Sequence, residues 1–230
     1  MTYVSHVGTI EELSASEGIF TTAQAASLGV PRNALSHAVS SGRAERVLHG
    51  AYKLTGVPSN FTDELSGIWK LTAPDKFIHE RMQVANWDGI VVGGTTAASL
   101  HNIGDFYLSP YRIYSPKRIN SRNESARFST RQVDSEDVTW IEGLPVTCRE
   151  RTLVDLCLDD EDWSLVEDAF VDAVDQGIAY SRLRQLLADH ASRVRDRESL
   201  SILNELMEKY PQEEYEDWKG FCLSGKLVGL

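Results

Sequence analysis

The feature that most constrains the fold of this chain is a helix–turn–helix pattern in its first 42 residues. Residues 23–28 read as a short helix, which Thr21 or Thr22 can cap. Gly29 suits the left-handed position after a helix, and Pro31 suits the first turn of the next one. Residues 31–41 then form a third helix, after a first helix at residues 9–16 whose Thr9 and Glu12 have capping-box spacing.

Two strands follow this helical segment directly. In the third helix, Leu35, Ala38 and Val39 recur at the spacing of one buried face. Residues 46–48 and 51–54 then flank His49-Gly50, which is a hairpin signal. Three helices followed by a hairpin predict a winged helix-turn-helix.

The rest of the chain predicts a second domain of mixed structure. Residues 56–60 form the linker candidate, so the expected domains are a winged helix-turn-helix at residues 1–56 and an α+β domain at residues 61–230. Within the second, residues 61–146 carry strand patterns, and residues 147–230 read as mainly helical. Thr147 and Glu150 have capping-box spacing before one of these helices. The fold class is therefore predicted as α+β, ending in a helical segment.

Composition narrows the class of protein. The formal charge of −11 argues against a polyanion-binding surface spread over the whole chain. The three cysteines, Cys148, Cys157 and Cys222, lack metal-site spacing and predict reduced thiols. Neither a signal peptide nor a membrane-length apolar run is evident, so a cytoplasmic protein without a membrane partner is expected. No cofactor and no metal site are expected.

The polar face of the third helix predicts contact with double-stranded DNA. A recognition helix needs one packed face and polar side chains that reach base edges in the major groove. The wing supplies cations that contact phosphates, which makes binding salt-dependent. The predicted DNA contacts are Thr22, Arg32, Asn33, Ser36, His37, Ser40, Arg43, Arg46, His49 and Lys53.

A second basic stretch lies at residues 112–131. Its cations are Arg112, Lys117, Arg118, Arg122, Arg127 and Arg131, against Glu124 alone. Two interpretations stay open: a solvated sheet face, or a surface for DNA, RNA or an acidic partner. Residues 155–175 are instead acidic and contain neither Lys nor Arg.

The run from Gly18 to Leu54, with AASLGVPRNALSHAVSSGRAERVLHGAYKL, resembles the N-terminal domain of AbiEi-type antitoxins. The later run Cys148–Leu156, CRERTLVDL, is similar to one in the C-terminal domain of that family. The resemblance implies a bacterial regulator of a type IV toxin–antitoxin or abortive-infection system. Its first domain would bind and repress its own promoter, and its second would neutralise a nucleotidyltransferase-like toxin.

Competing functions come from the second domain. Gly93-Gly94 before a helix, followed by Asp105, resembles part of a nucleotidyltransferase site, but Tyr107 stands where that site needs a second carboxylate. A nuclease targeted by the winged helix is a further alternative, as is a regulator that senses a small effector without any toxin. The favoured hypothesis is a non-enzymatic repressor and antitoxin that binds its own promoter, as two copies on an inverted repeat.

Overall fold

The computed structural model describes residues 6–190 and 197–210, and the chain divides into two compact units, residues 1–88 and 89–230. The first unit begins with three helices and a short strand. In chain order its elements are α1 (Val7–Glu17), β1 (Phe20–Thr21), α2 (Thr22–Ser27), α3 (Arg32–Ser40), β2 (Ala44–Leu48), β3 (Ala51–Leu54), α4 (Asp63–Leu71) and α5 (Ile78–Arg81), followed by a 3-10 turn at Val84–Asn86.

The first unit is built as a winged helix-turn-helix. Its three strands form an antiparallel sheet in the order β1-β3-β2, so β1 joins the hairpin that the sequence predicted. The helices cover a core that includes Leu13, Phe20, Val30 and Leu35. Thr21 caps α2 by accepting a hydrogen bond from the Gln24 backbone N–H, and the Gln24 side chain completes the capping box. The fold class predicted for this segment is confirmed.

The boundary between the units lies beyond the predicted linker. Helix α4 packs against β1, β2 and β3, so residues 61–88 belong to the first compact unit. Lys70 on α4 lies 2.6 Å from Glu17 at the end of α1, and both side chains are buried. This ion pair connects α1 to α4, which lie on opposite sides of the predicted linker at residues 56–60.

The second unit combines a five-stranded sheet with a helical layer. Its elements are β4 (Val91–Val92), α6 (Gly94–His101), β5 (Tyr111–Ser115), β6 (Ala126–Thr130), a 3-10 turn (Ser135–Asp137), β7 (Val138–Ile141), β8 (Leu144–Thr147), α7 (Arg149–Leu158), α8 (Trp163–Asp175), α9 (Tyr180–His190) and α10 (Arg197–Lys209). The strand order is β6-β5-β4-β8-β7. Strands β5 and β6 run parallel to each other, as do β4 and β8, whereas β4–β5 and β7–β8 are antiparallel.

Strand β8 was not predicted from the sequence. All four of its residues are buried, so no alternation marks it, and Pro145 lowers its apparent strand propensity. A two-residue turn at Glu142 and Gly143, both at positive φ, pairs β8 with β7. The sequence patterns also predict strands at residues 89–92, 111–114, 126–133 and 138–141, and helices at residues 63–71, 95–101, 163–176 and 181–190. These elements are present, with small shifts at their ends.

Helix α7 is the centre of the helical layer. It packs against α6, α8 and α9, and Leu153 and Leu156 are fully buried in the core of the second unit. Neither predicted capping box at the starts of α1 and α7 forms. Helix α1 begins after His6 and α7 after Cys148, and neither residue provides a side-chain cap.

Some predictions concern residues beyond these elements. The tail at residues 212–230, including Cys222, lies outside the described residues. Cys148 and Cys157 are both buried. Among residues 6–190 and 197–210, no helix combines the length and apolar character needed to cross a bilayer.

Candidate nucleic-acid interface

Helix α3 has one buried face and one exposed face, as a recognition helix requires. Its N-terminus follows Pro31, whose φ of −75° and extended ψ end the preceding turn. Leu35 and Ala38 are 1% and 6% exposed and lie in the core cluster with Leu13 and Val30. This packing fixes how the helix presents its other face.

The outward face of α3 is polar along its whole length. Its exposed members are Arg32, Asn33, Ser36, His37 and Ser40. The hydroxyls of Ser36 and Ser40 donate to the carbonyls of Arg32 and His37, at 3.0 and 3.1 Å. The Asn33 side-chain oxygen accepts from the Ala34 backbone N–H at 2.9 Å. These local hydrogen bonds hold Ser36, Ser40 and the Asn33 amide oxygen close to the helix, so Arg32 and His37 extend furthest toward a ligand.

The wing adds a second basic group at the β2–β3 turn. Arg46 is exposed, and its Nε donates to the Leu48 carbonyl at 3.3 Å, while its guanidinium contacts His49. The register shifts between Arg46 and Leu48, and Gly50 has a φ of +92°, which a residue with a side chain rarely adopts. This turn therefore gathers Arg46 and His49 at the wing tip.

Two further predicted contacts border this surface. Arg43 is exposed and lies between α3 and β2, where its backbone N–H donates to the Ala38 carbonyl at 2.8 Å. Thr22 is half-buried, and its backbone N–H and hydroxyl both point to the Gly50 carbonyl, at 2.9 and 3.4 Å. Thr22 thus fixes the wing turn, whereas Arg43 is available to a ligand.

Lys53 does not belong to the exposed set, contrary to the prediction. It is 4% exposed, and its ammonium lies 2.8 Å from Asp63 and 2.7 Å from the Ser59 hydroxyl. Side chains alternate along β3, so Lys53 lies on the same side of the strand as the buried Ala51. The sequence pattern predicted this strand but did not show which of its faces is buried. The carboxylate of Asp63 neutralises the charge that was expected to meet DNA.

A groove of about 880 Å³ runs beside α3. Its apolar wall includes Ile10 and Leu54, and its polar rim includes Asn33, His37 and Arg43. The sequence predicted the rim residues but not the groove, because the concavity arises only when α1, α3 and the end of β3 come together in the folded chain. The surface that carries the predicted DNA contacts is therefore concave beside α3.

In the second unit, Arg131 lies inside a network of ion pairs, contrary to its predicted place on an open surface. Its guanidinium is 2.9 Å from Asp155 and 2.6 Å from Asp159, and it lies over the Tyr114 ring, 4.4 Å from the centroid. Arg151 adds a second cation to Asp155 at 3.0 Å. The Tyr114 hydroxyl donates to Asp159 at 2.8 Å.

Burial controls the proton affinity of this network. Removal from water raises the pKa of Asp155 to about 6, although Arg151 and Arg131 act to lower it. Burial also raises the pKa of the Tyr114 hydroxyl, and the neighbouring Asp155 and Asp159 reinforce that shift. The network connects Tyr114 on β5 and Arg131 at the end of β6 to the carboxylates of α7 and its C-terminus. Its charged side chains therefore stabilise the second unit.

The other members of the basic stretch differ in exposure. Arg112 is half-buried and lies 3.6 Å from Glu161, which partly neutralises it. Lys117, Arg118, Arg122 and Arg127 are exposed on the β5–β6 connection and the start of β6. The sequence alone does not show which cations are neutralised, because Glu161 comes close to Arg112 only in the folded chain.

The segment that resembles part of a nucleotidyltransferase site serves packing. A Cβ on Gly93 would lie 1.9 Å from the Tyr114 ring, so glycine allows the start of α6 to approach β5. Asp105 and the 85%-exposed Tyr107 lie in the connection between α6 and β5, outside any strand. Within residues 6–190 and 197–210, no group of three or more His, Cys, Asp or Glu side chains is arranged to hold a metal ion.

Comparisons with known proteins give independent information on the fold and the family. The chain is similar to the protein RV2827C from Mycobacterium tuberculosis, with a TM-score of 0.50 and 15% identity over 93% of this chain and 85% of that one. This likeness supports the α+β fold class. Comparison with curated protein sequences finds no significant match. A family model described as "Transcriptional regulator, AbiEi antitoxin" matches residues 9–55, and this match confirms, for the winged helix-turn-helix, the resemblance to the AbiEi antitoxin family.

Proposed function

We propose that this protein is a DNA-binding transcriptional repressor of its own operon and the antitoxin of an AbiEi-like toxin–antitoxin system. The observation that carries the proposal is the exposed polar face of α3, with Arg32, Asn33 and His37 beside the wing residues Arg43 and Arg46. The family match at residues 9–55 supports a role in transcription regulation and as an antitoxin.

The chemistry of this face fits duplex DNA. An α-helix enters the major groove, where an asparagine pairs with adenine and an arginine with guanine. Arg46 at the wing tip suits a phosphate, because a contact to the backbone positions the protein without reading sequence. Repression then follows from occupancy of the promoter and requires neither a cofactor nor a metal.

One helix and one wing read only a few base pairs. We therefore propose that two copies bind an inverted repeat, since half-sites about one helical turn apart match two recognition helices related by symmetry. The antitoxin function concerns a nucleotidyltransferase-like toxin encoded beside this protein.

Fluorescence anisotropy tests the DNA-binding part. The full chain is titrated against its own upstream DNA and a scrambled duplex of equal length, at two salt concentrations. A preference for its own DNA that persists at the higher salt is expected, because base contacts depend less on counterion release than phosphate contacts do. Equal and salt-sensitive binding to both duplexes would contradict a sequence-specific repressor.

A wing variant tests the predicted phosphate contact. Arg46→Ala should weaken binding to both duplexes alike and lower the salt slope by about one. A loss confined to the protein's own DNA would contradict a backbone role for the wing.

Co-expression with the adjacent toxin gene tests the antitoxin part of the proposal. We expect both the wild-type chain and Asp105→Asn to restore growth. Failure of Asp105→Asn to restore growth would favour an enzyme.

A further inference from the structure

We propose that the exposed cations of the β5–β6 connection form a second surface for the phosphate backbone of duplex DNA, separate from the winged helix-turn-helix. This basic loop comprises Lys117, Arg118, Arg122 and Arg127. The inference rests on the proposed DNA-binding function and names a part of the footprint that the family match at residues 9–55 does not cover.

Charge pairing divides the basic stretch into two groups. Arg131 is committed to Asp155 and Asp159, and Arg112 is close to Glu161. In contrast, no Asp or Glu carboxylate of the described chain lies within 4.0 Å of the charged nitrogens of the four basic-loop residues. Arg127 donates only to the backbone carbonyls of Glu124 and Ala126 among the residues described. These four charges are therefore available to an external anion.

The loop has a defined backbone that can present those charges. The Asn123 backbone N–H donates to the Ser121 hydroxyl at 3.0 Å, and the Ser125 N–H donates to the Asn123 side chain at 2.8 Å. The Ser125 carbonyl accepts from the Tyr111 N–H at 2.7 Å, which fixes the loop to the start of β5. Because β6 is the edge of the five-stranded sheet, the loop lies where an extended ligand can pass.

The composition of the loop favours a duplex backbone as its ligand. Residues 116–127 hold four cations and only one acid, Glu124, in a chain whose net charge is −11. Serine and asparagine accompany the cations, and both side chains commonly contact phosphate oxygens. The same residues include no aromatic side chain. Single-stranded nucleic acid is bound largely by stacking bases on aromatic rings, so this loop suits phosphates rather than bases.

A matched pair of double variants tests the proposal in the full chain. Arg118→Ala/Arg122→Ala removes two charges from the basic loop, whereas Arg184→Ala/Lys209→Ala removes two from α9 and α10, where both residues are exposed. Anisotropy with the protein's own upstream DNA and with a scrambled duplex, across a series of salt concentrations, gives the slope of log K against log salt. Circular dichroism checks that both variants remain folded.

The loop variant should lower the salt slope by about 1.8, at about 0.9 for each phosphate contact, on both duplexes and without changing the preference between them. The helix variant should leave the slope within error of wild type. An unchanged slope for the loop variant, or an equal change in both variants, would overturn the proposal.

The same titrations separate this inference from the proposed function. If wild type prefers its own DNA but the loop variant behaves as wild type, only the second surface fails. If wild type binds both duplexes equally and the loop variant still lowers the slope, the sequence-specific repressor fails and the phosphate surface stands. Absence of binding to either duplex would refute both.

Discussion

Single side chains decide which part of a basic segment can meet a ligand. Lys53 and Arg46 lie on adjacent strands of one hairpin, yet Lys53 is buried against Asp63 and Arg46 is exposed at the wing tip. Arg131 and Arg127 differ in the same way, because only Arg131 is within reach of Asp155 and Asp159. A cation in the sequence therefore predicts a ligand contact only when no internal carboxylate neutralises it.

Asn33 provides the sharpest test of base reading. Asn33→Ala should weaken binding to the protein's own DNA by about 1–3 kcal/mol, because a bidentate amide contact to adenine is lost, and should leave scrambled DNA unaffected. Anisotropy measures both affinities. The control is Asn86→Ala, an exposed amide in the 3-10 turn at Val84–Asn86, which should leave both affinities unchanged. An equal loss on both duplexes would assign Asn33 to the DNA backbone.

His101 gives the stability of the second unit a defined pH dependence. Burial lowers its pKa from 6.5 to about 4, and its ring nitrogen is 2.7 Å from the Thr147 carbonyl. Between pH 6.5 and 4 the unfolded chain therefore binds a proton at His101 that the folded chain excludes, so stability falls as pH falls. The loss attributable to His101 should reach about 3 kcal/mol at pH 4.

Urea unfolding of wild type and His101→Gln at pH 7, 5.5 and 4 measures this effect. The advantage of wild type over the variant should shrink as pH falls, since the variant has no imidazole to protonate. Other titrating groups, including Asp155, are present in both proteins and cancel in the difference. Parallel stability curves would show that His101 has the same pKa in the folded and unfolded chains.

Among the secondary-structure elements, α4 is the one that enlarges the winged helix-turn-helix. It packs against all three strands of the small sheet, and its Lys70 reaches Glu17 at the end of α1. Glu17 also accepts hydrogen bonds from the Gln24 side chain at 3.0 Å and from the Ile78 backbone N–H at 3.2 Å. One buried carboxylate thus connects α1, α2, α4 and the start of α5.

Lys70→Met should lower the free energy of unfolding by about 3–5 kcal/mol, because it leaves the buried Glu17 carboxylate without its cation. Adding Glu17→Gln should recover part of that loss, since no uncompensated charge then remains. Chemical denaturation measures both variants beside Lys209→Met, which should leave the free energy of unfolding unchanged because the Lys209 side chain is 64% exposed. A loss below about 1 kcal/mol in Lys70→Met would mean that water reaches Glu17.

At the scale of the whole molecule, the excess of negative charge contrasts with two local basic surfaces. The acidic residues of 155–175 include Asp155 and Asp159, which neutralise internal arginines, and Asp162, which caps α8 by accepting the Ser164 N–H at 2.9 Å. An overall charge of −11 thus coexists with an exposed polar recognition helix and an exposed basic loop. Electrostatic attraction to DNA is therefore expected through those surfaces.

The extent of the first unit leads to a prediction about fragments. Residues 1–88 should unfold cooperatively and retain the DNA preference of the full chain. Residues 1–56 should not, because they lose α4 and with it the Lys70 partner of buried Glu17. Circular dichroism during thermal unfolding, with anisotropy on the folded fragment, measures both properties. A stable, DNA-binding fragment of residues 1–56 would support the domain boundary predicted from sequence.

Local patterns predicted helices correctly where glycine marked the end of a helix and apolar residues recurred at helical spacing. Gly29 and Gly42 have positive φ at the ends of α2 and α3, and the buried positions Leu35 and Ala38 follow the predicted spacing. Both capping boxes predicted at α1 and α7 were wrong. Thr147 instead bonds the Thr152 hydroxyl, and Glu150 accepts the Ala179 N–H at 2.7 Å. Thr152 lies five residues beyond Thr147 and Ala179 is brought to Glu150 by tertiary packing, so a spacing of three residues could not reveal either partner.

By itself, the sequence determined most of the helices and strands, the α+β class and the polar face of α3, because glycine and proline conformations and apolar periodicity act over a few neighbouring residues. Only the tertiary structure decided that residues 61–88 pack with the winged helix-turn-helix, that β8 lies inside the sheet, and which cations are exposed. The pairing of Lys53 with Asp63 and of Arg131 with Asp155 depends on burial and on carboxylates brought close by folding. Charge availability is therefore a property of the folded surface.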